Sequence, residues 1–190
     1  MNNWEDNAQN AMGEVICFKY AYGEMTTVTK EQYKVLTEYI KKRKILYRSL
    51  AVFYKYTPIM IGIAYVITGL YVIFFMPDKL IRFICVPLFT FCTVSLLRRL
   101  INRERPYDKF NISPLFKYKA GKGRSFPSRH TASAFIIAMT CLYINTFCGV
   151  IILFMAIIVG MTRVLSGMHY MTDVFGAAML TLLIAISSFF

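Results

Sequence analysis

Met161-Thr162-Arg163-Val164-Leu165-Ser166-Gly167-Met168-His169-Tyr170-Met171-Thr172-Asp173 joins two long apolar runs near the C-terminus of the chain. Ionisable side chains at a membrane edge are costly to place, so Arg163, His169 and Asp173 mark a candidate functional site. His169 and Asp173 are four apart, which puts them on one face of a helix if a helix begins there. A carboxylate behind an imidazole fixes its tautomer and stabilises its cation, which suits a base or a nucleophile. Arg163 lies six residues upstream, across a loop expected at Ser166-Gly167, and can meet the histidine from a second helix. The same pattern also fits a structural histidine near a helix end, so the rest of the chain must decide.

The 190 residues are enough for one domain. They are 57% hydrophobic, yet the formal net charge is +12. Both facts fit an integral membrane protein with its basic residues gathered outside apolar spans. Nucleic acid is not expected as a partner, because the basic residues flank membrane-length apolar runs instead of covering a soluble domain. Cys17, Cys85, Cys92, Cys141 and Cys148 form no Cys-x-x-Cys pair and read as small packing residues. Only two histidines exist, His130 and His169, so no histidine-rich metal site is expected. Met1 to Asn10 is polar and lacks the apolar core of a signal peptide, so the first span is expected to act as an uncleaved anchor.

Residues 1–55 read as an N-terminal polar segment followed by a basic amphipathic helix. Thr29 and Gln32 make a possible capping box, and apolar residues recur at Tyr33, Leu36, Ile40, Tyr47 and Leu50. Such a helix is expected to lie on an anionic membrane surface. Residues 56–190 read as a transmembrane domain. Spans are expected over Tyr56 to Met76, Leu80 to Leu100 with a kink at Pro87, Ser128 to Phe147, Val150 to Leu165 and His169 to Phe190. A short turn is expected at Cys148-Gly149. The fold class is therefore all-α: a membrane helical bundle of about five transmembrane helices behind an amphipathic N-terminal helix.

Charge gives an expected topology. Eight Lys and Arg residues lie between Lys30 and Lys55, and ten between Arg98 and Arg129. The positive-inside rule puts the N-terminus, the long loop and the His169 turn in the cytoplasm, in a protein of the plasma membrane. Arg99, Arg103, Lys117, Lys119 and Lys122 read as membrane-surface charges, and Tyr107 and Phe126 as interfacial packing.

The unusual polar residues then fall on one membrane side. Arg98 and Arg105 are seven apart, two helical turns and nearly one face. Pro127-Ser128-Arg129-His130 opens a span, with Ser128 as N-cap or in the first turn. Free backbone N–H groups at a helix start attract anions. Three arginines, a serine, two histidines and a helix N-terminus are what a phosphate ester site needs.

These residues resemble the type 2 phosphatidic acid phosphatase superfamily. Its first motif, Lys, six residues, Arg-Pro, reads here as Arg98, six residues, Arg105-Pro106. Its Pro-Ser-Gly-His is Pro127-Ser128-Arg129-His130. Its Ser-Arg, five residues, His, three residues, Asp is Thr162-Arg163, His169 and Asp173. Arg98 replaces a lysine point charge with a planar fork. Arg129 replaces glycine, and either adds a cation for a second phosphate or faces solvent. The family commonly has six spans, against five expected here.

The resemblance implies a lipid phosphatase that needs neither cofactor nor metal. Its substrate would be a lipid phosphate such as phosphatidic acid, phosphatidylglycerol phosphate or an isoprenoid diphosphate. It implies His169 as nucleophile, Asp173 as its partner and His130 as the acid for the leaving oxygen. Arg98, Arg105, Ser128 and Arg163 would hold the phosphate. A phosphotransferase using the same site and a non-enzymatic anionic-lipid-binding protein are the alternatives. The sequence does not indicate an oligomeric state.

Overall fold

A computed structural model describes residues 30–116 and 123–190; the segment 1–28, Thr29 of the expected capping box and the expected surface charges Lys117, Lys119 and Lys122 lie outside them. The described residues form helices α1 (Lys30–Lys42), α2 (Lys44–Phe75), α3 (Leu80–Ile101), the short α4 (Pro106–Phe110), α5 (Arg129–Ile144), α6 (Thr146–Leu165) and α7 (Met171–Phe189). No strand occurs among them. Four stretches, Lys44–Phe75, Pro77–Phe110, Thr146–Leu165 and Met171–Phe189, hold helices long and apolar enough to cross a membrane. With 16 residues, α5 is short of the roughly 20 that a bilayer requires. It is the central helix and packs against α2, α3, α6 and α7.

The outward faces carry large apolar residues such as Ile63, Val66, Ile67, Phe74, Leu88, Phe154 and Leu183, each about half exposed or more. A bundle apolar on its outside as well as its inside is built for lipid. Inside, small residues let the backbones approach, as at membrane helix interfaces. Ala134, Ala138, Cys141, Ala156 and Val159 form one buried cluster with Ile61 and Ile152. Gly149 lies so near α5 that a Cβ there would sit 2.3 Å from the Leu142 Cα. The break between α5 and α6 comes at Asn145, earlier than the expected Cys148-Gly149 turn. The Asn145 N–H closes α5 on the Cys141 carbonyl at 2.8 Å, and its side chain caps α6 by accepting from the Cys148 N–H at 2.9 Å.

Two membrane helices contain proline, and each freed carbonyl is taken by a side chain. Proline has no N–H to donate four residues back. In α3 this leaves the carbonyl of Phe83, four before Pro87, and Tyr65 Oη of α2 donates to it at 3.0 Å. In α2 it leaves the carbonyl of Tyr54, four before Pro58, which accepts from Arg163 Nη2 at 3.3 Å.

α2 has 32 residues, or about 48 Å at 1.5 Å per residue, well over the roughly 30 Å of a hydrocarbon core. Its first turns, with Lys44, Arg48 and Lys55, extend the span instead of preceding it. The expected boundary between residues 55 and 56 therefore falls inside one continuous helix. α1 also departs from the expected membrane-surface helix. Its apolar face is spent on the protein: Tyr33, Leu36 and Ile40 are each 1% exposed. Leu36 and Ile40 cluster with Leu50, Leu115 and Val164, over the end of α6. Each such side chain contributes about 1.5–3 kcal/mol on burial. Tyr33 also closes on the turn after α6. Gly167 there has φ +72, and a Cβ on it would fall 1.8 Å from Tyr33 Oη, so only glycine fits.

Candidate active site

One end of the bundle gathers the C-terminal turns of α3 and α6, the N-terminal turns of α5 and α7, and the loops between them. α3 stops at Ile101 because Asn102 adopts a left-handed conformation, φ 41, where asparagine is tolerated as a helix terminator. The chain turns there, so Arg98 and Arg105 meet across a loop and not along one helical face as expected. Both are buried, at 3% and 5% exposed. Arg98 Nη1 donates to the carbonyls of Pro127 at 2.7 Å and Ser125 at 3.3 Å. Arg105 Nε donates to the Gly123 carbonyl at 3.3 Å. The two arginines thus hold the 123–127 segment that leads into α5.

α7 begins at Met171, so His169 precedes the helix, and its relation to Asp173 is that of a capping turn and not of one helical face. Asp173 lies in the first turn and is fully buried. Its Oδ2 accepts the Tyr170 N–H at 3.0 Å and a hydrogen bond from Ser125 Oγ, and lies 3.4 Å from His169 Nδ1. Its Oδ1 accepts from Arg103 Nη1 at 3.0 Å. The Asp173 carbonyl accepts the Ser128 N–H at 3.0 Å, which ties the starts of α5 and α7 together. With the carboxylate on the Nδ1 side, the ring proton belongs on Nδ1, and the lone pair of Nε2 is left to react.

Burial lowers the pKa of His169 below 6.5, Asp173 opposes this, and the charges of Arg105 and Arg98 add to the lowering. Below-normal basicity keeps the imidazole neutral at pH 7, the form that attacks an electrophile.

Arg163, in the last turn of α6, is 4% exposed. Its guanidinium lies 4.0 Å from the centroid of the Tyr54 ring and donates to the Tyr54 carbonyl, which brings α2 into the site. Ser128 is the N-cap of α5 as expected, and its Oγ accepts from Thr131 Oγ1 at 3.0 Å. His130 follows in the first turn, partly buried, within electrostatic reach of Arg163, His169, Arg129 and Arg105. Arg129 is exposed, its guanidinium 5.9 Å from the Phe91 centroid.

All eight expected site residues therefore come to one end of the bundle. Two more join them. Arg103, expected as a surface charge, pairs with Asp173, donates to Thr172 Oγ1 at 2.8 Å and stacks 4.1 Å from the Tyr170 centroid. Ser125 touches both Asp173 and His169. Nothing in the sequence separates Arg103 from the other basic residues around it, and a lone serine before Phe126-Pro127 carries no pattern.

A model of the PAP2 superfamily matches residues 79–189, more than half of the chain and every site residue except Tyr54. The chain belongs to the PAP2 superfamily. Among PAP2 relatives, the lipid A 1-phosphatase of Rhizobium johnstonii is 39% identical over 87 residues, 42% of this chain and 34% of that protein. The match thus spans about a third of that curated relative. The crystal structure of Aquifex aeolicus LpxE superposes with a TM-score of 0.60 and 26% identity, over 72% of this chain and 83% of that one. The transmembrane PAP2-type phosphatidylglycerolphosphate phosphatase from Bacillus subtilis aligns over 98% of this chain and 85% of its own, with 20% identity and a TM-score of 0.46. With its PAP2 membership and its membrane-length helices, the chain is an integral membrane protein.

Proposed function

We propose that this PAP2 protein is a membrane lipid phosphatase that hydrolyses a lipid phosphomonoester or diphosphate through a phosphohistidine on His169. The observation that carries this is the buried pair His169 and Asp173, 3.4 Å apart, with the carboxylate held by Ser125, the Tyr170 N–H and Arg103. Such fixing costs no reorganisation when charge develops on the imidazole.

In the first step His169 Nε2 attacks phosphorus and the P–O bond to the leaving group breaks. His130, whose pKa burial and the Arg163 charge lower, takes up a proton against the incoming phosphate dianion and gives it to the leaving oxygen. In the second step His130 takes a proton from water, the water oxygen attacks the phosphohistidine, and inorganic phosphate leaves. Arg98, Arg105 and Arg163, with Ser128 and the N–H groups at the start of α5, hold the equatorial oxygens. Three arginines supply the positive charge, so the proposed reaction proceeds in EDTA. The lipid A 1-phosphatase among the relatives supports a phosphate carried on a lipid as the substrate class. The distribution of Lys and Arg supports a cytoplasmic site in the plasma membrane.

The test is phosphate release by the purified protein in detergent and EDTA, from phosphatidic acid, phosphatidylglycerol phosphate and an isoprenoid diphosphate. The expected result is release from at least one by the wild type, falling by several orders of magnitude in His169→Ala. Equal release by both proteins overturns the nucleophile. No release from any lipid by folded wild type overturns the phosphatase.

A further inference from the structure

A groove of about 250 Å³ runs between α2, α3 and α5, and His130 lines it. Ile61, Phe91, Ala134 and Ile137 give it apolar walls, while Arg129 brings a guanidinium to the same space. Phe91 is 46% exposed on the outer face of α3, a helix of membrane length. The groove therefore connects the acid of the proposed reaction to the face that meets lipid. Among the described residues no carboxylate pairs with Arg129, and its guanidinium lies 5.9 Å from the centroid of the Phe91 ring. A cation on an aromatic face, at the rim of an apolar groove, still has its in-plane N–H groups to offer an anion.

The chemistry of the two sides differs. Arg98, Arg105 and Arg163 surround the phosphoryl group that His169 would take. The leaving group departs on the His130 side, toward Arg129. The alcohol released from a phosphomonoester is neutral once protonated and gains nothing from a second guanidinium. The lipid monophosphate released from a diphosphate carries charge on its remaining phosphate. A guanidinium at that position binds it through charge-assisted, bidentate hydrogen bonds.

We infer that Arg129 and the groove beneath it form a leaving-group subsite for a lipid phosphate, which makes the enzyme selective for lipid diphosphates over lipid monophosphates. The inference rests on the phosphatase reading above. His169 takes the terminal phosphoryl group, the bond from its phosphorus to the bridging oxygen breaks, and the lipid monophosphate is held by Arg129. Water then releases inorganic phosphate. One diphosphate and one water yield one lipid monophosphate and one phosphate, with no other reactant.

The test compares wild type, Arg129→Gly and Arg129→Lys on an isoprenoid diphosphate and on phosphatidic acid, by phosphate release in detergent. The expected result is a loss in kcat/KM of about 10- to 100-fold on the diphosphate for Arg129→Gly, the size of one charge-assisted pair. On phosphatidic acid the expected change is under about 3-fold on the same scale. Arg129→Lys should recover part of the diphosphate activity, because it keeps the charge and loses the fork. An equal loss on both substrates, or no loss on either, overturns the subsite while leaving the phosphatase standing. No release from either substrate by the wild type overturns the phosphatase and the subsite together.

Discussion

Arg163 Nη2 donates to the main-chain carbonyl of Tyr54, 3.3 Å away, and that carbonyl is accessible because Pro58, one turn on, has no N–H to give it. A backbone acceptor inside a membrane helix is normally spent within the helix. Here proline releases one at the depth of Arg163, the arginine proposed to hold phosphate. The Tyr54 ring supports the same guanidinium from 4.0 Å. Tyr54 and Pro58 lie outside the 79–189 segment that the family model matches.

Pro58→Ala should therefore separate stability from activity. Restoring the N–H lets the Tyr54 carbonyl close its own helical bond, and alanine is the better helix former by about 3 kcal/mol. The melting temperature in detergent should hold or rise. The kcat/KM for phosphate release should fall about 10-fold or more, since small misplacements of a positioning group are costly to rate. Full activity in a more stable variant would show that Arg163 needs no such aiming.

Asp173, Ser125 and Arg103 should rank by how directly each governs His169. Asp173→Asn offers Nδ1 an amide in place of a carboxylate and should lower kcat by roughly 10³ to 10⁴. Ser125→Ala removes one of the bonds that orient the carboxylate and should cost about 10-fold on the scale of a single hydrogen bond. Arg103 is 34% exposed in its pair with Asp173, so solvent screens it, and Arg103→Ala should cost no more than about 10-fold. Steady-state phosphate release on folded variants gives the order; an Arg103→Ala loss as large as that of Asp173→Asn would make Arg103 a phosphate ligand in its own right.

The candidate site was legible where its signal was local. Three short motifs kept their spacing and, apart from Arg98, Arg129 and Thr162, their residue types, so His130, His169, Asp173 and the arginines could be named from the chain alone. How they meet was not legible. Arg98 and Arg105 look like one helical face until Asn102 turns the chain left-handed, and a single asparagine is a weak terminator signal. Arg103 was hidden among neighbouring charges. The bundle of apolar helices followed from length and hydropathy, but an amphipathic pattern states only that one face is covered. What covers α1 is the Leu115 and Val164 surface, and those contacts span too much sequence for periodicity to report. Proline 58 carried no visible meaning, because its consequence is a bond made by a residue over 100 positions away.

The acid limb of the rate profile follows from His169. Its pKa lies below 6.5 through burial, with Asp173 opposing. Protonation removes the nucleophilic lone pair, so His169 should cause no loss of kcat/KM as pH falls through 7 and should begin to lower it only below about 6.5. Removing the Asp173 charge takes away what favours the cation, so any residual activity of Asp173→Asn should have its limb at still lower pH. Stability carries the same sign. A histidine whose folded pKa is depressed binds fewer protons than the unfolded chain, so its contribution is present above 6.5 and is lost as pH falls toward the folded pKa. Activity that fails already between pH 8 and 7 would contradict a neutral, buried His169.

Opposite ends of the bundle should label oppositely if the site faces the cytoplasm. Asp78 is exposed in the turn between α2 and α3, and Asn111 is exposed at the site end. In a background without native cysteines, Asp78→Cys should react with a membrane-impermeant thiol reagent in intact cells, while Asn111→Cys should react only after permeabilisation. The reverse pattern would turn the protein over in the membrane and leave the site chemistry as described.

The most direct test of the account is to trap the intermediate. Wild-type protein is mixed with a lipid substrate labelled in its terminal phosphate, quenched in alkali within the first turnovers, digested and mapped. The account predicts a base-stable, acid-labile phosphoryl group on His169 that is absent from His169→Ala. A wild type that turns over while its label sits on another residue, or is never protein-bound, would contradict it.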